Sequence, residues 1–282
     1  MTSLPPLDVP SLLRKYGLHP SKGLGQNYLI DNQALQEIVR AADLKPADAV
    51  LEIGPGLGSL TRHLALAARS VTAVELDARL FPALTEVLSP FSNVHLIQGD
   101  ILKLDPAALM DTPEHLVVAN IPYYITSAVI RHLLESSRRP RRVVLTIQQE
   151  VAERICALPG KMSLLALSVQ VYGRPRIRER IPAGAFYPPP KVDSAVLTVD
   201  VYSEPAIPAA LLETFFALAK AGFSQKRKTL RNSISAGKRL PPIEAEKLLA
   251  AAGIDPQRRA ETLSLDEWGK ISRQYQALPM EG

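Results

Sequence analysis

From Ala49 onward, short apolar runs alternate with segments whose apolar residues recur every three or four positions. The runs at 49–53, 70–75, 93–98, 115–120 and 142–148 have the length and composition of buried strands, and 58–68, 78–88, 126–135 and 150–157 carry helical spacing. Such alternation predicts an α/β fold, a mostly parallel sheet with helices on both faces. An apolar helix is expected at 163–172, then two strands at 174–181 and 191–202 joined by a proline-rich loop. In the second strand, Val192 to Val201 alternates apolar and polar residues, as an antiparallel edge hairpin strand would. The stretch Ser203-Glu204-Pro205-Ala206-Ile207-Pro208 reads as a linker, and only helical periodicity follows, at 209–221, 226–235, 242–252 and 264–276. Two domains are therefore expected, 1–202 with the sheet and 203–282 small and all-helical. Ahead of the sheet, a short helix spans Ser11 to Tyr16, Gly23 to Tyr28 forms a flexible loop, and Asp31 N-caps a helix carrying Leu35, Ile38, Val39 and Ala42 on one face.

Composition narrows the chemistry. A hydrophobic content of 46% over 282 residues supports a full core. A single cysteine, Cys156, excludes an intramolecular disulfide and a cysteine-based metal site. The histidines are scattered without ligand spacing, so no metal is expected. No apolar run approaches the roughly 18–20 residues that span a bilayer, and the proline-rich start lacks the form of a secretory signal. A cytoplasmic monomer without membrane contact is the expectation.

Two motifs carry the chemistry. Glu52-Ile53-Gly54-Pro55-Gly56-Leu57-Gly58 follows a strand and opens a helix. Glycines there let backbone approach a ligand, and the helix start offers free N–H groups to an anion. Similar turns bind NAD or FAD in other proteins, or nothing. The dinucleotide fingerprint would read Gly-x-Gly-x-x-Gly, whereas here the third glycine comes one residue early, which suits a methionine carboxylate better than a pyrophosphate. Glu75, ending the next strand, can accept from ribose hydroxyls, and Asp100, at the end of the third, from an adenine amine. Gly56, Leu76 and Ile101, their sequence neighbours, belong to the same donor pocket.

The second motif, Asn120-Ile121-Pro122-Tyr123, ends an apolar strand. An exocyclic aromatic amine is a poor nucleophile because its lone pair is delocalised. Acceptors on both N–H groups favour a tetrahedral nitrogen; the Asn120 side-chain oxygen and the Ile121 carbonyl can supply them, with Pro122 fixing the turn. Tyr123 can stack on the extruded base. Phe186, in the stiff loop Ala185-Phe186-Tyr187-Pro188-Pro189-Pro190, either completes an aromatic clamp or caps the sheet core.

With these residues in hand, the chain resembles the small-subunit rRNA adenine N6,N6-dimethyltransferases of the KsgA type over nearly its whole length. The resemblance rests on Gly25-Gln26-Asn27-Tyr28-Leu29, Leu51 to Gly56, Val74-Glu75-Leu76-Asp77, Gly99-Asp100, Asn120 to Tyr123 and Phe186 to Ser194. It rests also on Gly222-Phe223, Arg227 to Asn232 and Arg259 to Ser264. It implies a Rossmann-like class I methyltransferase sheet and S-adenosyl-L-methionine as co-substrate, with roles for Asn27, Leu29, Gly54, Glu75, Asp100 and Asn120. Gln26 belongs to the N-terminal motif that closes over the donor. The implied acceptor is a pair of adjacent adenosines in the 3′-terminal hairpin loop of 16S rRNA, each dimethylated in the immature small subunit. An assembly checkpoint that docks on pre-30S particles, methylation being secondary, is the alternative. Ile121 stands where the family usually has leucine; isoleucine there is common in the related 23S rRNA methyltransferases of macrolide resistance, a further reading that the loop carrying Phe186 and the C-terminal motifs disfavour. Met162-Ser163-Leu164-Leu165 replaces the usual tyrosine- and glycine-containing segment.

Basic residues cluster as an RNA surface would. Lys226, Arg227, Lys228, Arg231, Lys238 and Arg239 lie in a stretch without acids, and RNA contact is expected at the first four. Arg174, Arg176, Arg178 and Arg180 alternate along a strand, whereas the arginines around Pro140 read as solvated surface.

Overall fold

The computed structural model describes residues 4–112 and 114–278. Two compact units divide the chain: one ends at Ala152 and resumes over Arg174–Val201, and the other comprises Glu153–Gly173 and the segment from Tyr202.

The first unit is built on a seven-stranded sheet. Its strands are β2 (Ala49–Ile53), β3 (Ser70–Glu75), β4 (Val94–Gln98), β5 (His115–Asn120), β6 (Arg142–Gln148), β7 (Gly173–Ile181) and β9 (Ser194–Val201), in the order β4-β3-β2-β5-β6-β9-β7. Neighbours from β4 to β6 pair in parallel, and β9 pairs antiparallel with β6. The order reverses beside β2, where β3 lies on one side and β5 on the other. Ligands of open α/β sheets bind at the carboxyl ends of such strands. The pair β1 (Tyr28–Leu29) and β8 (Phe186–Tyr187) forms a separate small sheet.

Helices cover the faces: α1 (Val9–Lys15), α2 (Asn32–Ala42), α3 (Ser59–Ala67), α4 (Phe81–Leu88) and α5 (Thr126–Leu134). The Asp31 carboxylate accepts from Ala34 N–H at 2.8 Å, capping α2 as the sequence predicts. Leu35, Ile38 and Ala42 then recur at helical spacing and bury against Val50, Leu64 and Val144. The division between units falls within α6 (Gln149–Ile155).

The second unit contains α7 (Leu164–Gln170), α8 (Leu212–Phe223), α9 (Leu230–Lys238), α10 (Pro242–Ala251) and α11 (Leu265–Gln276). Trp268 is fully buried, its ring 5.9 Å from that of Phe223. Ser264 and Glu267 form a reciprocal capping box that starts α11.

Four sequence expectations are revised. The chain does not divide once near residue 202, because 153–173 packs with the later helices: Tyr172 stacks on Phe216 at 6.4 Å and Gly160 N–H donates to Glu261 O at 2.9 Å. The antiparallel hairpin lies at the sheet's edge as expected, but β9 is its inner strand. Its polar residues look solvent-facing in sequence but are buried with partners, Ser194 with Tyr123 and Thr198 with Arg178. The exposed edge is β7, whose arginines Arg176 and Arg180 pair with Asp200 and Asp193. The loop at 23–28 ends in a strand, since Tyr28 and Leu29 pair with Tyr187 and Phe186. Finally, the helix expected from 226 begins at Leu230; Lys226, Arg227 and Lys228 stay on an exposed turn with no apolar side chain to anchor it.

Candidate functional site

All fourteen residues assigned to the donor and acceptor pockets line one open cleft of about 1070 Å³, its mouth included, at the carboxyl ends of the strands. They are Gln26, Asn27, Leu29, Gly54, Gly56, Glu75, Leu76, Asp100, Ile101, Asn120, Ile121, Pro122, Tyr123 and Phe186.

The turn after β2 forms the floor. Gly56 has φ +61°, and a Cβ there would sit 3.0 Å from the Tyr28 ring, so both conformation and space require glycine. Gly58, at φ +87°, precedes the first residue of α3 and makes no side-chain cap, so that helix start has no protein anion on it. Glu75 ends β3 and is 6% exposed. Its Oε2 accepts the Gly56 N–H at 3.0 Å and its Oε1 the Asp77 N–H at 2.8 Å. Each oxygen keeps a lone pair for one further donor. Burial raises the Glu75 carboxyl above its ordinary pKa, while these backbone donors pull against the rise. Asp100 follows β4 and accepts from Leu102 N–H at 3.1 Å, with Lys103 Nζ 3.8 Å from its other oxygen. Buried Ile101 and half-exposed Leu76 provide apolar surfaces beside the two acids.

Asn120 ends β5, and its Nδ2 donates to the Asn27 carbonyl at 3.2 Å. That bond distinguishes the two ends of the amide and leaves Oδ1 unspent. Ile121 is buried, which fixes the backbone of the turn, and Pro122 has φ −56° and ψ 136°. The Tyr123 hydroxyl lies 2.7 Å from Ser194 Oγ, so the ring is held from β9. Phe186 packs in the core with Leu29 and Val196, one of the two roles the sequence left open, and it also borders the cleft.

Residues without a sequence assignment complete the walls. Glu52 is fully buried with its Oε2 unbonded. Burial pushes its carboxyl up to about 8, reinforced by the Glu75 charge and outweighing the opposite pull of Thr61. Tyr28 is also buried, its hydroxyl unpartnered; burial first, then the charges of Glu75 and Asp77, raise its pKa. Behind the lining, Asp77 is held by Arg79, whose fork keeps its carboxyl down near 2 despite burial. Each lies inside a motif that was already legible, but side-chain bonding was not. Among the described residues no group of three or more His, Cys, Asp or Glu side chains forms a metal site, and no helix is long and apolar enough to cross a membrane. In the second unit, Lys226, Arg227 and Lys228 are exposed without ion pairs among the described residues, whereas Arg231 pairs with Glu246 at 3.2 Å.

A reversed parallel sheet with a glycine turn, a strand-end carboxylate and a strand-end Asn-x-Pro-Tyr around one cleft defines a class I methyltransferase. The family model for ribosomal RNA adenine dimethylase matches residues 19–277, and the chain belongs to that family. It is 47% identical over 270 residues to ribosomal RNA small subunit methyltransferase A of Dehalococcoides mccartyi strain CBDB1, covering 95% of this chain and 92% of that one. The Moorella thermoacetica protein of the same name is 44% identical, with 94% and 96% covered. Among solved structures, a 23S rRNA methyltransferase, ErmE, superposes with a TM-score of 0.72 at 30% identity, covering 88% of this chain and 99% of that one. A dimethyladenosine transferase from Plasmodium falciparum has the same fold, with a TM-score of 0.73 at 24% identity and coverage of 88% and 97%. The enzyme is thus an rRNA adenine dimethyltransferase, and its family implies S-adenosylmethionine as the methyl source.

Proposed function

We propose that the chain dimethylates N6 of two adjacent adenosines in the 3′-terminal hairpin loop of 16S rRNA, acting as a cytoplasmic monomer on the immature small subunit. The observation that carries the reading is the Asn120 amide, whose nitrogen is engaged by Asn27 while its oxygen is free beside the Ile121–Pro122 turn.

The cleft fits the donor by its chemistry. Glycines leave room for backbone approach, the uncapped start of α3 suits a carboxylate, and the remaining lone pairs of Glu75 suit a ribose diol. Asn27, Leu29, Gly54, Gly56, Leu76, Asp100 and Ile101 line the same space, and Gln26 holds the loop above it. S-adenosylmethionine bound there supplies an electrophilic methyl group. Asn120 Oδ1 and the Ile121 carbonyl accept the two amine hydrogens, which keeps the nitrogen lone pair out of the ring and directed at the cleft. Tyr123 offers its face to the flipped base, and Phe186 backs the same wall. The nitrogen becomes strongly acidic on gaining a methyl, so its proton passes to water without a dedicated base.

In the second unit Lys226, Arg227 and Lys228 present charge for phosphate contact, with Arg231 beside them. Docking on pre-30S particles is the companion reading, drawn from the same exposed basic turn. The test offers purified enzyme with methyl-labelled S-adenosylmethionine to unmethylated 30S and 50S particles. Label in 16S rRNA, lost in Asn120→Ala, is the expected result; label in 23S rRNA overturns the substrate assignment.

A further inference from the structure

The loop that walls one side of the cleft is clasped at two points. At one end, Ser21 N–H donates to Gln26 Oε1 at 2.8 Å, and Gln26 Nε2 donates to Asp77 Oδ2 at 2.9 Å. At the other, the Asn27 carbonyl receives Asn120 Nδ2 at 3.2 Å. Between them Gly25 lies so close to the acceptor turn that a Cβ would come within 3.2 Å of Pro122 Cβ. Residues 21–28 therefore form a strap from the end of β3 to the end of β5. Asp77 is itself immobilised: Arg79 grips both its oxygens, at 2.8 Å and 2.7 Å, and its N–H donates to Glu75.

We propose that Asp77, braced by Arg79, is a positioning residue that holds the strap through Gln26 and thereby orients the Asn120 amide. The inference rests on Asn120 being the acceptor of the amine hydrogens. A terminal amide rotates easily and its two ends have the same shape. Only the Asn27 carbonyl selects which end faces the substrate. If the strap lifts, Nδ2 is released and can turn toward the amine, where donor would meet donor. The strap also forms one wall of the donor cleft, so the same clasp has to open whenever spent donor is exchanged. An amine that receives two methyl groups requires that exchange between them.

The decisive variants are isosteric. Gln26→Glu sets a carboxylate against Asp77, while the paired change Gln26→Glu with Asp77→Asn restores that hydrogen bond with donor and acceptor reversed and leaves net charge unchanged, at the loss of the Arg79 Nη2 bond to the same atom. Two readouts are taken: hydrogen exchange of backbone amides 21–28 in the donor-free protein, and kcat for methyl transfer. Gln26→Glu should speed exchange and lower kcat by about tenfold or more each, the scale of losing one charge-assisted hydrogen bond. The paired variant should recover part of both, short of the natural protein because one of the two Arg79 side-chain bonds is gone, whereas a merely structural loss would recover neither. Unchanged exchange in Gln26→Glu, a kcat that ignores faster exchange, or a paired variant no better than the single one overturns the proposal. The underlying reading fails separately and visibly, if Asn120→Ala transfers methyl groups at the normal rate.

Discussion

Gly56 and Glu75 are joined by a backbone N–H to carboxylate bond of 3.0 Å, so the glycine turn and the strand-end acid form one rigid edge of the cleft. Glu75→Ala strands two amides, those of Gly56 and Asp77. Thermal unfolding should show a loss of about 1–3 kcal/mol, and calorimetric titration should show S-adenosylmethionine binding at least about tenfold weaker. Glu75→Gln is no harmless isostere, because its NH2 end would face an N–H donor; it should also weaken binding.

Glu52 gives the protein a stability slope with pH. In the native state its carboxyl titrates at about 8, against an ordinary 4.5. Between these values the unfolded chain has released the proton and the native chain retains it. Stability therefore falls as pH rises through this window, by up to about 1.4 kcal/mol per pH unit, and levels off above it. Glu52→Gln removes this contribution. Denaturant melts followed by circular dichroism should show the variant gaining on the natural sequence from about pH 5 to about pH 8. A gap independent of pH would mean that Glu52 does not hold its proton.

Gly222 is a site where the helical unit has no room. A Cβ there would lie 2.5 Å from Trp268 Cη2, in the packing of α8 against α11. Gly222→Ala should cost about 1–3 kcal/mol by overpacking. Trp268 is the chain's one tryptophan and is fully buried, so its emission reports this unit directly. An unfolding midpoint at the natural value would show that the helices shift apart without cost.

The basic turn should govern salt dependence. Replacing Lys226, Arg227 or Lys228 by alanine should weaken 16S rRNA binding and flatten the plot of log K against log salt by about 0.7–0.9 for each phosphate no longer neutralised. Arg231→Ala should do less, since Nη1 is already committed to Glu246. Binding titrations across a salt series decide the matter; equal effects from all four would mean that Arg231 exchanges Glu246 for phosphate.

What could be read in advance was whatever depended on local sequence. Glu75, Asp100 and Asn120 follow strand signals, and successive parallel strands bring their ends together whatever their side chains do. The Asp31 cap was visible for the same reason. What escaped was long-range. Tyr28 and Leu29 become a strand only through Phe186 and Tyr187, far along the chain, and two residues carry no periodicity. Ser194 and Thr198 made β9 look half wet because a hydroxyl reads as polar until its partner is known. The start of α9 is set by the loop at 256–258, which takes the N–H groups of Leu230 and Arg231. Glu52 sat in plain view inside a motif, yet its neutral state follows from complete burial.

The excursion of residues 153–173 away from the sheet bears on any attempt to pare the enzyme down to its methyltransferase half. Ending the polypeptide at Val201 would retain α7 but delete α8, against which it packs. Ala166, Leu167 and Val169 would then face water as an orphaned greasy ridge. Such a fragment invites aggregation for reasons unrelated to catalysis. The smaller unit is best regarded as a lodger with two leases, returning the chain to the sheet before taking it back for good.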